Sequence, residues 1–456
     1  MKRKNFFRGL LDSITMRKPG AMLKGIATTQ ADLAVADMET LAWELLSGRG
    51  EASGVARATF LLKCYKEASQ ERRLSFLMAL ASRFGPDVDQ IQFALAALQN
   101  GASMEELSRL LYGLEPKRQE LIRRLNLAPG GTGSLVRMRE DVLAHLPKHS
   151  ELKALDIDFK HLFSSWFNRG FLVLRRIDWS TPAEILEKII RYEAVHAIDS
   201  WEDLRGRTNP IDRRCFAFFH PALPDEPLIF VEVALTREVP SAIGPLIEVP
   251  RNPIDPSEAT TAVFYSISSC QKGLAGISFG NFLIKQVVDD LRAEFSKLET
   301  FVTLSPVPGF SVWLASDHGG DVLGQNGVEV ERLLSGLATR DWPHSSDAAT
   351  DLKPVLLRAA AIFLLEAKTQ LGQPLDPVAR FHLGNGARLE RLNSMADLSS
   401  NGLTQSHGIM VNYQYVLEEI EQNHELFAEK SVVVASPEVH AILQADAVSS
   451  RKRIGA

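Results

Sequence analysis

The sequence predicts an α+β protein, with an all-helical bundle over residues 1–150 and a mixed α/β domain over residues 151–456. Two patterns lead to this prediction. Up to Leu146 the apolar residues recur at helical spacing, whereas beyond Leu155 candidate strands alternate with candidate helices. The composition is that of a globular protein, because 45% of the 456 residues are hydrophobic and 23% are charged.

The N-terminal region is a series of amphipathic segments separated by short breakers. Leu41 and Leu45 repeat at helical spacing, and so do the apolar side chains of residues 60–80. Ser103 and Glu106 have the spacing of a capping box, which predicts the start of a helix. The Gly-, Pro- and Asn-containing breakers lie at residues 48–50, 85–86, 100–101 and 129–131. We expect antiparallel helices that serve packing or oligomerisation.

The C-terminal region contains a strand, a glycine-bearing loop, a helix and a second strand in succession. Residues 262–267 form the first strand, and the helix begins near Gly280 with apolar residues three and four positions apart. The second strand covers residues 300–304 and ends at Ser305, because Pro306 cannot continue a central strand. Three earlier strands are predicted at residues 171–174, 216–219 and 228–235. Residues 381–412 look polar and irregular.

Charge and cysteine content exclude several classes of protein. There are 51 Lys and Arg against 56 Asp and Glu, so the basic excess of a nucleic-acid-binding protein is missing. No apolar run approaches the ~20 residues of a membrane span. Three cysteines are too few for a disulfide framework and indicate a reducing compartment, for which we expect the cytoplasm. Residues 1–20 are basic, and the mitochondrial matrix is the alternative if they form a presequence.

The glycine-bearing loop is a candidate anion site. Small residues before a helix N-terminus let backbone N–H groups approach a phosphate, and Ala275, Gly276, Ser278 and Gly280 provide them. The loop has neither the Lys-Ser/Thr pair of a Walker loop nor the Gly-x-Gly-x-x-Gly of a dinucleotide fold. It does match the Gly-x-Ser-x-Gly elbow of serine hydrolases, but about ten residues separate Ser278 from the preceding strand, which argues against an elbow.

Several motifs, in sequence order, resemble the malonyl-CoA decarboxylase family. They are Trp166-Phe-Asn-Arg-Gly-Phe, Phe230-Val-Glu-Val-Ala-Leu, Tyr265-Ser-Ile-Ser, Gly273-Leu-Ala-Gly, Gly280-Asn-Phe-Leu-Ile-Lys, Leu304-Ser-Pro-Val-Pro-Gly-Phe, Phe381-His-Leu-Gly-Asn-Gly-Ala and Met410-Val-Asn-Tyr-Gln-Tyr. The resemblance extends over residues 155–435. It implies a catalytic domain like that of acetyl-CoA-dependent N-acetyltransferases (GNAT), preceded by a helical domain. It also implies release of CO2 from malonyl-CoA to give acetyl-CoA, a carboxy-lyase reaction of fatty acid metabolism.

The resemblance assigns residues to this reaction. Ser305 and His382 are implied as the catalytic pair that also contacts the substrate, and Tyr415 is a further candidate that either aims its phenol at the thioester oxygen or packs. The CoA pyrophosphate is expected on seven consecutive residues, Ala275, Gly276, Ile277, Ser278, Phe279, Gly280 and Asn281. This loop is a degenerate version of the acetyltransferase pattern.

The chemistry of such a substrate can be argued independently. Loss of CO2 from malonyl-CoA leaves an electron pair that the thioester carbonyl accepts as an enolate, so we expect no metal or other cofactor. A hydroxyl at Ser305 can orient the departing carboxylate without a full charge. An imidazole at His382 with a pKa near neutrality suits protonation of the α-carbon. Glu232 lies in an apolar strand, where a carboxylate needs a partner, and we expect it to be structural.

Two other functions remain open at this point. The first is an N-acyltransferase on the same fold, which would need an acidic cleft for an amine and would release no CO2. The second is a non-catalytic acyl-CoA sensor that uses the helical domain to contact a partner. We expect a homo-oligomer formed through the helical domain, with no nucleic-acid partner and no membrane span.

Overall fold

A computed structural model describes residues 37–48, 50–101, 103–248, 251–277, 283–338, 342–343 and 345–444. Contacts divide the chain into two compact units. The first comprises Met1–Phe167 with Gln271–Ile277, and the second comprises Asn168–Cys270 with Ser278–Ala456. The basic residues 1–20 lie outside the described residues. Within the described ranges, every helix is too short or too polar to cross a membrane.

The first unit is helical, as predicted. Its helices are α1 (Met38–Ser47), α2 (Glu51–Glu67), α3 (Gln70–Arg83), α4 (Val88–Gln99), α5 (Met104–Gly113), α6 (Lys117–Asn126), α7 (Gly131–His145) and α8 (Lys153–Trp166). The capping box at α5 is confirmed, because the Ser103 N–H donates to Glu106 Oε2 at 2.8 Å and the Glu106 N–H donates to Ser103 Oγ at 3.3 Å. Leu77, Leu121 and Phe159 are fully buried in the core.

The second unit is built on a mixed sheet. Its strands are β1 (Val173–Ile177), β2 (Arg213–Phe219), β3 (Ile229–Thr236), β4 (Thr261–Ser269), β5 (Thr300–Thr303), β6 (Ser305–Pro306), β7 (Arg388–Asn393) and β8 (Met410–Gln414). The strand order is β1-β2-β3-β4-β5-β8-β6, and β7 also pairs with β8. Only β4 and β5 are parallel among these described pairs. The predicted mixed α+β architecture is confirmed.

Helices cover and connect the strands of the second unit. They are α9 (Ala183–Tyr192), α10 (Trp201–Thr208), α11 (Gly244–Ile247), α12 (Leu283–Glu294), α13 (Phe310–Leu314), α14 (Asp317–Gln325), α15 (Val330–Leu337), α16 (Ser346–Leu365), α17 (Pro377–Gly384), α18 (Ser400–Ser406), α19 (Ile420–Lys430) and α20 (Pro437–Gln444). The apolar side of α9, with Ile185, Leu186 and Ile189, packs in one core with Ala217 and Phe230 of the sheet.

The pairing between the parallel strands β4 and β5 ends half-way along β4. Their pairing runs from Thr261 opposite Thr300 to Phe264 opposite Thr303 and then ends. Residues 265–269 of β4 continue along β3, whereas Ser305 and Pro306 pair with β8 instead. The predicted end of the central strand at Pro306 fits this change of partner. The sheet is therefore open on one side of β4, beyond Phe264.

The prediction that residues 381–412 are irregular is wrong. This stretch contains the end of α17, β7, α18 and the start of β8. The pairing of β7 with β8 shifts register between Leu389 and Arg391, which breaks the alternation of apolar and polar residues that identifies a strand in sequence. This error matters because β8 lies between β5 and β6 in the sheet.

Candidate active site

Ser305 lies at the point where the sheet opens. It is the first residue of β6, and its hydroxyl is buried. Its Oγ lies 3.0 Å from Nε2 of His382 and donates to Oγ1 of Thr303 at 2.9 Å. Thr303 precedes Ser305 by two residues, so the two-residue period of extended chain places both hydroxyls on one side.

His382 is carried by α17, whose start is well defined. Asp376 is the N-cap and accepts from the Ala379 N–H at 2.7 Å, and Pro377 occupies the first helical position. The helix is followed by Gly386 at φ +82°, where a Cβ atom would lie 2.2 Å from the carbonyl oxygen of Ile420. Only glycine fits this turn, which accounts for the second glycine of the Gly-Asn-Gly motif.

Tyr415 holds the other nitrogen of the imidazole. Its hydroxyl lies 2.9 Å from Nδ1 of His382, directly after β8. Tyr413, two residues earlier on the same face of the strand, stacks on the imidazole with ring centroids 4.8 Å apart and an interplanar angle of 25°. The ring of His382 is thus fixed on its face and at both nitrogens.

The hydrogen bonds define one proton arrangement for this chain of groups. Because the Ser305 hydroxyl donates to Thr303, its oxygen is left to accept from Nε2–H of His382. Nδ1 then carries a lone pair and accepts from the Tyr415 hydroxyl. The resting imidazole is neutral in this arrangement, with its proton on Nε2.

The imidazole is less basic than the sequence suggested. Burial lowers the pKa of His382 from 6.5 to about 3. The expectation of a pKa near neutrality is therefore wrong. Sequence could not reveal the cause, because it is the depth of burial among Phe381, Tyr413 and Tyr415 that excludes water from the ring.

A cavity of about 230 Å³ opens beside Ser305 and His382, both of which line it. Its wall is formed mostly by apolar side chains, among them Val195, Ile229, Phe264, Ile267, Val378 and Phe381. Residues of β4 beyond Phe264 contribute to the wall, so the cavity occupies the opening between β4 and β6. A small acyl group in this cavity would meet mostly apolar walls, with Ser305 and His382 among the groups able to exchange hydrogen bonds.

Comparison with known proteins gives this cavity a chemical context. The family model for the malonyl-CoA decarboxylase C-terminal domain matches residues 170–453, and that for the N-terminal domain matches residues 84–167. Mitochondrial malonyl-CoA decarboxylase of Anser anser anser is 36% identical over 400 residues, which cover 81% of this chain and 79% of the relative. That of Mus musculus is 36% identical over 409 residues, covering 83% and 82%.

Two solved structures extend the similarity to the fold. Malonyl-CoA decarboxylase from Rhodopseudomonas palustris has 54% sequence identity and a TM-score of 0.82, covering 91% of this chain and 99% of its own. The enzyme from Agrobacterium vitis has 52% identity and a TM-score of 0.84, covering 90% and 100%. The chain belongs to the malonyl-CoA decarboxylase family. It is an enzyme of the carboxy-lyase class.

The sequence analysis missed two groups of the site. Thr303 and Tyr413 contact Ser305 and His382, and both could have been found from the period of two, at positions 303 and 305 and at positions 413 and 415. Asn412 lies between the tyrosines but on the other face of β8. Its Nδ2 donates to the Thr303 carbonyl at 2.8 Å, so it joins β8 to β5.

Glu232 has the partner that its position in an apolar strand requires. Arg207 Nη1 lies 3.2 Å from its Oε2, and the carboxyl is fully buried. Burial raises the pKa of Glu232 to about 8, with the neighbouring carboxyl of Glu193 acting in the same direction. The expected structural role fits this contact.

Only part of the candidate CoA loop can be described. Ala275 and Gly276 are exposed and Ile277 is buried, and Gly276 has a φ of +73°. Ser278, Phe279, Gly280 and Asn281 lie outside the described residues, so neither their part in the CoA loop nor the serine elbow is tested. In the parts of the chain that are described, no group of three or more His, Cys, Asp or Glu side chains is placed to hold a metal ion.

The buried imidazole predicts a characteristic dependence of stability on pH. His382 titrates near pH 6.5 in the unfolded chain but near pH 3 in the folded protein, so between these values the unfolded state binds the extra proton. The free energy of unfolding should therefore rise with pH across this window, by at most about 1.4 kcal/mol per pH unit from this group. In His382→Gln this contribution should be missing from urea unfolding measured between pH 4 and 7.

The comparison isolates His382 because other groups are common to both proteins. Glu232 contributes with the opposite sign between pH 4.5 and 8, but it does so in wild type and variant alike. Substitution of the exposed His161 by glutamine is the control and should leave the pH dependence unchanged. A stability difference between wild type and His382→Gln that does not vary with pH would contradict a buried neutral imidazole.

Proposed function

We propose that this chain decarboxylates malonyl-CoA to acetyl-CoA and CO2 by direct loss of CO2, with Ser305 orienting the carboxylate and His382 protonating the α-carbon. The observation that carries the proposal is the hydrogen-bonded chain Thr303–Ser305–His382–Tyr415 at an otherwise apolar cavity. The family to which the chain belongs supports the substrate and the products.

The apolar wall favours loss of CO2. A carboxylate in this cavity exchanges most of its water for the side chains of Phe264, Ile267 and Val378, and its negative charge is poorly solvated there. In the transition state the charge spreads toward the thioester oxygen while the carboxyl group becomes neutral CO2. Once it turns from Thr303 Oγ1 toward the substrate, the Ser305 hydroxyl is a single donor that suffices to orient the carboxylate, whereas a lysine or arginine would hold it as a salt.

The carboxylate of the substrate supplies the negative charge that favours protonation of the His382 imidazole. Burial alone keeps the His382 imidazole neutral. A malonyl carboxylate bound beside Nε2 raises the pKa of the imidazole, so the substrate binds together with a proton. The C–C bond then breaks and its electron pair passes into the enolate. The Nε2–H bond breaks next, the α-carbon takes the proton, and a neutral imidazole remains with its proton on Nδ1, donating to Tyr415.

Tyr415 serves both protonation states of His382 in this sequence. Its hydroxyl donates to Nδ1 of the neutral ring and can turn to accept from Nδ1–H of the cation. This places the phenol as a partner of His382. We propose that role in preference to a direct contact with the thioester oxygen.

We assign the CoA pyrophosphate to residues 275–281, as the family resemblance implies. The exposed backbone at Ala275 and Gly276 supports this assignment, since small residues allow the close approach that a phosphate needs.

One assay tests the function against the alternatives. Purified protein is incubated with malonyl-CoA alone, in excess EDTA, and acetyl-CoA and CO2 are measured. We expect stoichiometric formation of both without added metal, because the thioester is its own electron sink. An N-acyltransferase would consume malonyl-CoA only with an amine present, and an acyl-CoA sensor would leave it intact. Activity that EDTA abolishes and a divalent ion restores would contradict the proposed chemistry.

The two principal residues should respond differently to substitution. His382→Asn should lower kcat by about 10²–10⁴-fold and leave substrate binding mostly intact, because it removes the proton donor. Ser305→Ala should cost less in kcat and more in KM, because an orienting donor acts before the chemical step. Steady-state kinetics measure both. Ser269→Ala changes another serine of the cavity wall and serves as the control.

A covalent route is distinguishable from the direct one. If Ser305 took up the malonyl group, free CoA would leave before CO2 and an acyl-serine would accumulate. Mass spectrometry of rapidly quenched enzyme should find no adduct on Ser305. A kinetically competent adduct would replace orientation by nucleophilic catalysis.

We propose that the chain forms a homo-oligomer through α4. No side chain of this helix is buried, and Val88, Leu95 and Leu98 are each about 60% exposed on one stripe with Ile91. The stripe has no charged residue, so an identical stripe on a second copy can cover it across a two-fold axis. Leu95→Glu should lower the mass measured by light scattering, while Phe93→Glu, which places the same charge on the opposite, exposed side of the helix, should not. An unchanged mass for Leu95→Glu would exclude this interface.

The proposed compartment remains the cytoplasm. The thiols of Cys64, Cys215 and Cys270 are unpaired and buried, which agrees with a reducing environment.

A further inference from the structure

Arg139 of α7 donates hydrogen bonds to the backbone that leads into the candidate CoA loop. Its side chain is completely buried. Nη1 donates to the Gly273 carbonyl at 2.6 Å and Nη2 donates to the Ala275 carbonyl at 2.9 Å. Both carbonyls belong to Gln271–Ile277, the segment that forms one compact unit with the helices. A guanidinium that reaches two carbonyls two residues apart fixes the path of the chain between them.

Arg139 is itself held by one acidic partner, Asp156, which also binds Lys160. Arg139 Nε donates to Asp156 Oδ1 at 2.9 Å, and the other oxygen of Asp156 accepts from Lys160 Nζ at 2.8 Å. All three nitrogens of Arg139 therefore have partners, which a buried guanidinium requires. The side chain of Lys160 is 46% exposed, and its Cε lies 3.7 Å from the position of a Cβ atom on Gly276. A cation thus stands beside the exposed part of the segment.

Two further residues of α7 contact the same segment. A Cβ atom on Gly273 would lie 2.0 Å from the Val136 carbonyl oxygen, so backbone meets backbone here. The Gly273 N–H donates to Glu140 Oε1 at 3.3 Å. Positions 136, 139 and 140 share one helix face. The segment therefore packs against α7 along its length, and the side chain of Leu274 is buried.

The contacts with α7 determine the orientation of the exposed Ala275–Gly276 peptide. The Ala275 carbonyl is directed at Arg139, and in a trans peptide the following N–H points the opposite way. The N–H of Gly276 is therefore turned away from the guanidinium, at a residue that is exposed. Backbone N–H groups turned outward in this manner are donors for an anion.

We infer that Arg139 is a positioning residue for the diphosphate of CoA. It presents the Ala275–Gly276 peptide to the phosphates without touching the substrate. This inference rests on the proposed assignment of the CoA loop. Because the backbone is ordered before the ligand arrives, the free-energy cost of ordering it is removed from the binding step. The helical unit then contributes to substrate affinity in addition to any role in self-association.

The test compares substrates with and without the phosphates. In Arg139→Gln, KM for malonyl-CoA and the dissociation constant of CoA, measured by calorimetry, should each rise about 10-fold, as expected for loss of a charged hydrogen bond. The kcat/KM for malonyl-pantetheine, which lacks the diphosphate, should stay within about twofold. Arg139→Lys keeps the charge beside Asp156 but cannot reach both carbonyls, and should show the same effect if Arg139→Gln folds poorly.

A matched control separates positioning from stability. Arg118 of α6 is another buried arginine paired with an aspartate of α8, Asp158, and its partners lie elsewhere in the helices. Arg118→Gln should lower the melting temperature and leave CoA affinity unchanged.

Each outcome decides between the inference and the function on which it rests. Equal losses for malonyl-CoA and malonyl-pantetheine, or unchanged CoA affinity in both Arg139 variants, would overturn the positioning role. A wild type that binds CoA tightly but forms no acetyl-CoA would overturn the proposed function, while weaker CoA binding in Arg139→Gln would still support the inference. A wild type that does not bind CoA would overturn both.

Discussion

The end of β4–β5 pairing at Phe264 and Thr303 is the constraint on which the candidate active site depends. Parallel strands that stay paired leave no room between them, but here β5 gives way to Ser305 and Pro306, which pair with β8. Proline has no N–H with which to continue a hydrogen-bonded ladder, so Pro306 marks the change of strand partner in the sequence. The gap left beside β4 is lined by side chains of both elements, and the Ser305 hydroxyl lies within it.

Burial of His382 has a chemical consequence beyond packing. A histidine that sits neutral between two hydroxyls, stacked on Tyr413, is stable because each nitrogen has one partner of the right kind. The same burial makes protonation costly until an anion arrives. In the proposed mechanism, protonation of His382 is thereby coupled to the presence of the substrate carboxylate, so the acid forms only where a carbanion needs a proton. A surface histidine near pH 7 would lack this coupling.

Sequence reasoning found the elements that obey a simple period and missed those that depend on distant partners. The helices of the first unit, the β4–α12–β5 succession and the stop at Pro306 follow from local patterns. The alternation of apolar and polar residues does not reveal β7, because its bulge disrupts that pattern. The placement of Tyr413 beside His382 was therefore missed as well. The motifs of the family indicated Ser305, His382 and Tyr415. The structure brings all three into contact, but no pattern in the chain could give the pKa of the imidazole, which depends on how many distant residues exclude water from it.

Arginines with buried or half-buried side chains satisfy backbone carbonyls in this fold, a role that a count of charges does not reveal. Arg207 donates to the carbonyls of His196 and Ala197, beside cavity residue Val195, and Arg391 donates to those of Val239 and Pro240. Irregular backbone near a buried site has carbonyls with no ladder or helix to satisfy them, and each unpaired one would cost about 1–3 kcal/mol. A guanidinium satisfies two at once and, being always charged, does so at any physiological pH. Arg139 binds two carbonyls in the same way, at Gly273 within the short 3-10 helix Lys272–Leu274 and at Ala275 directly after it, which explains how so short a segment holds a defined path.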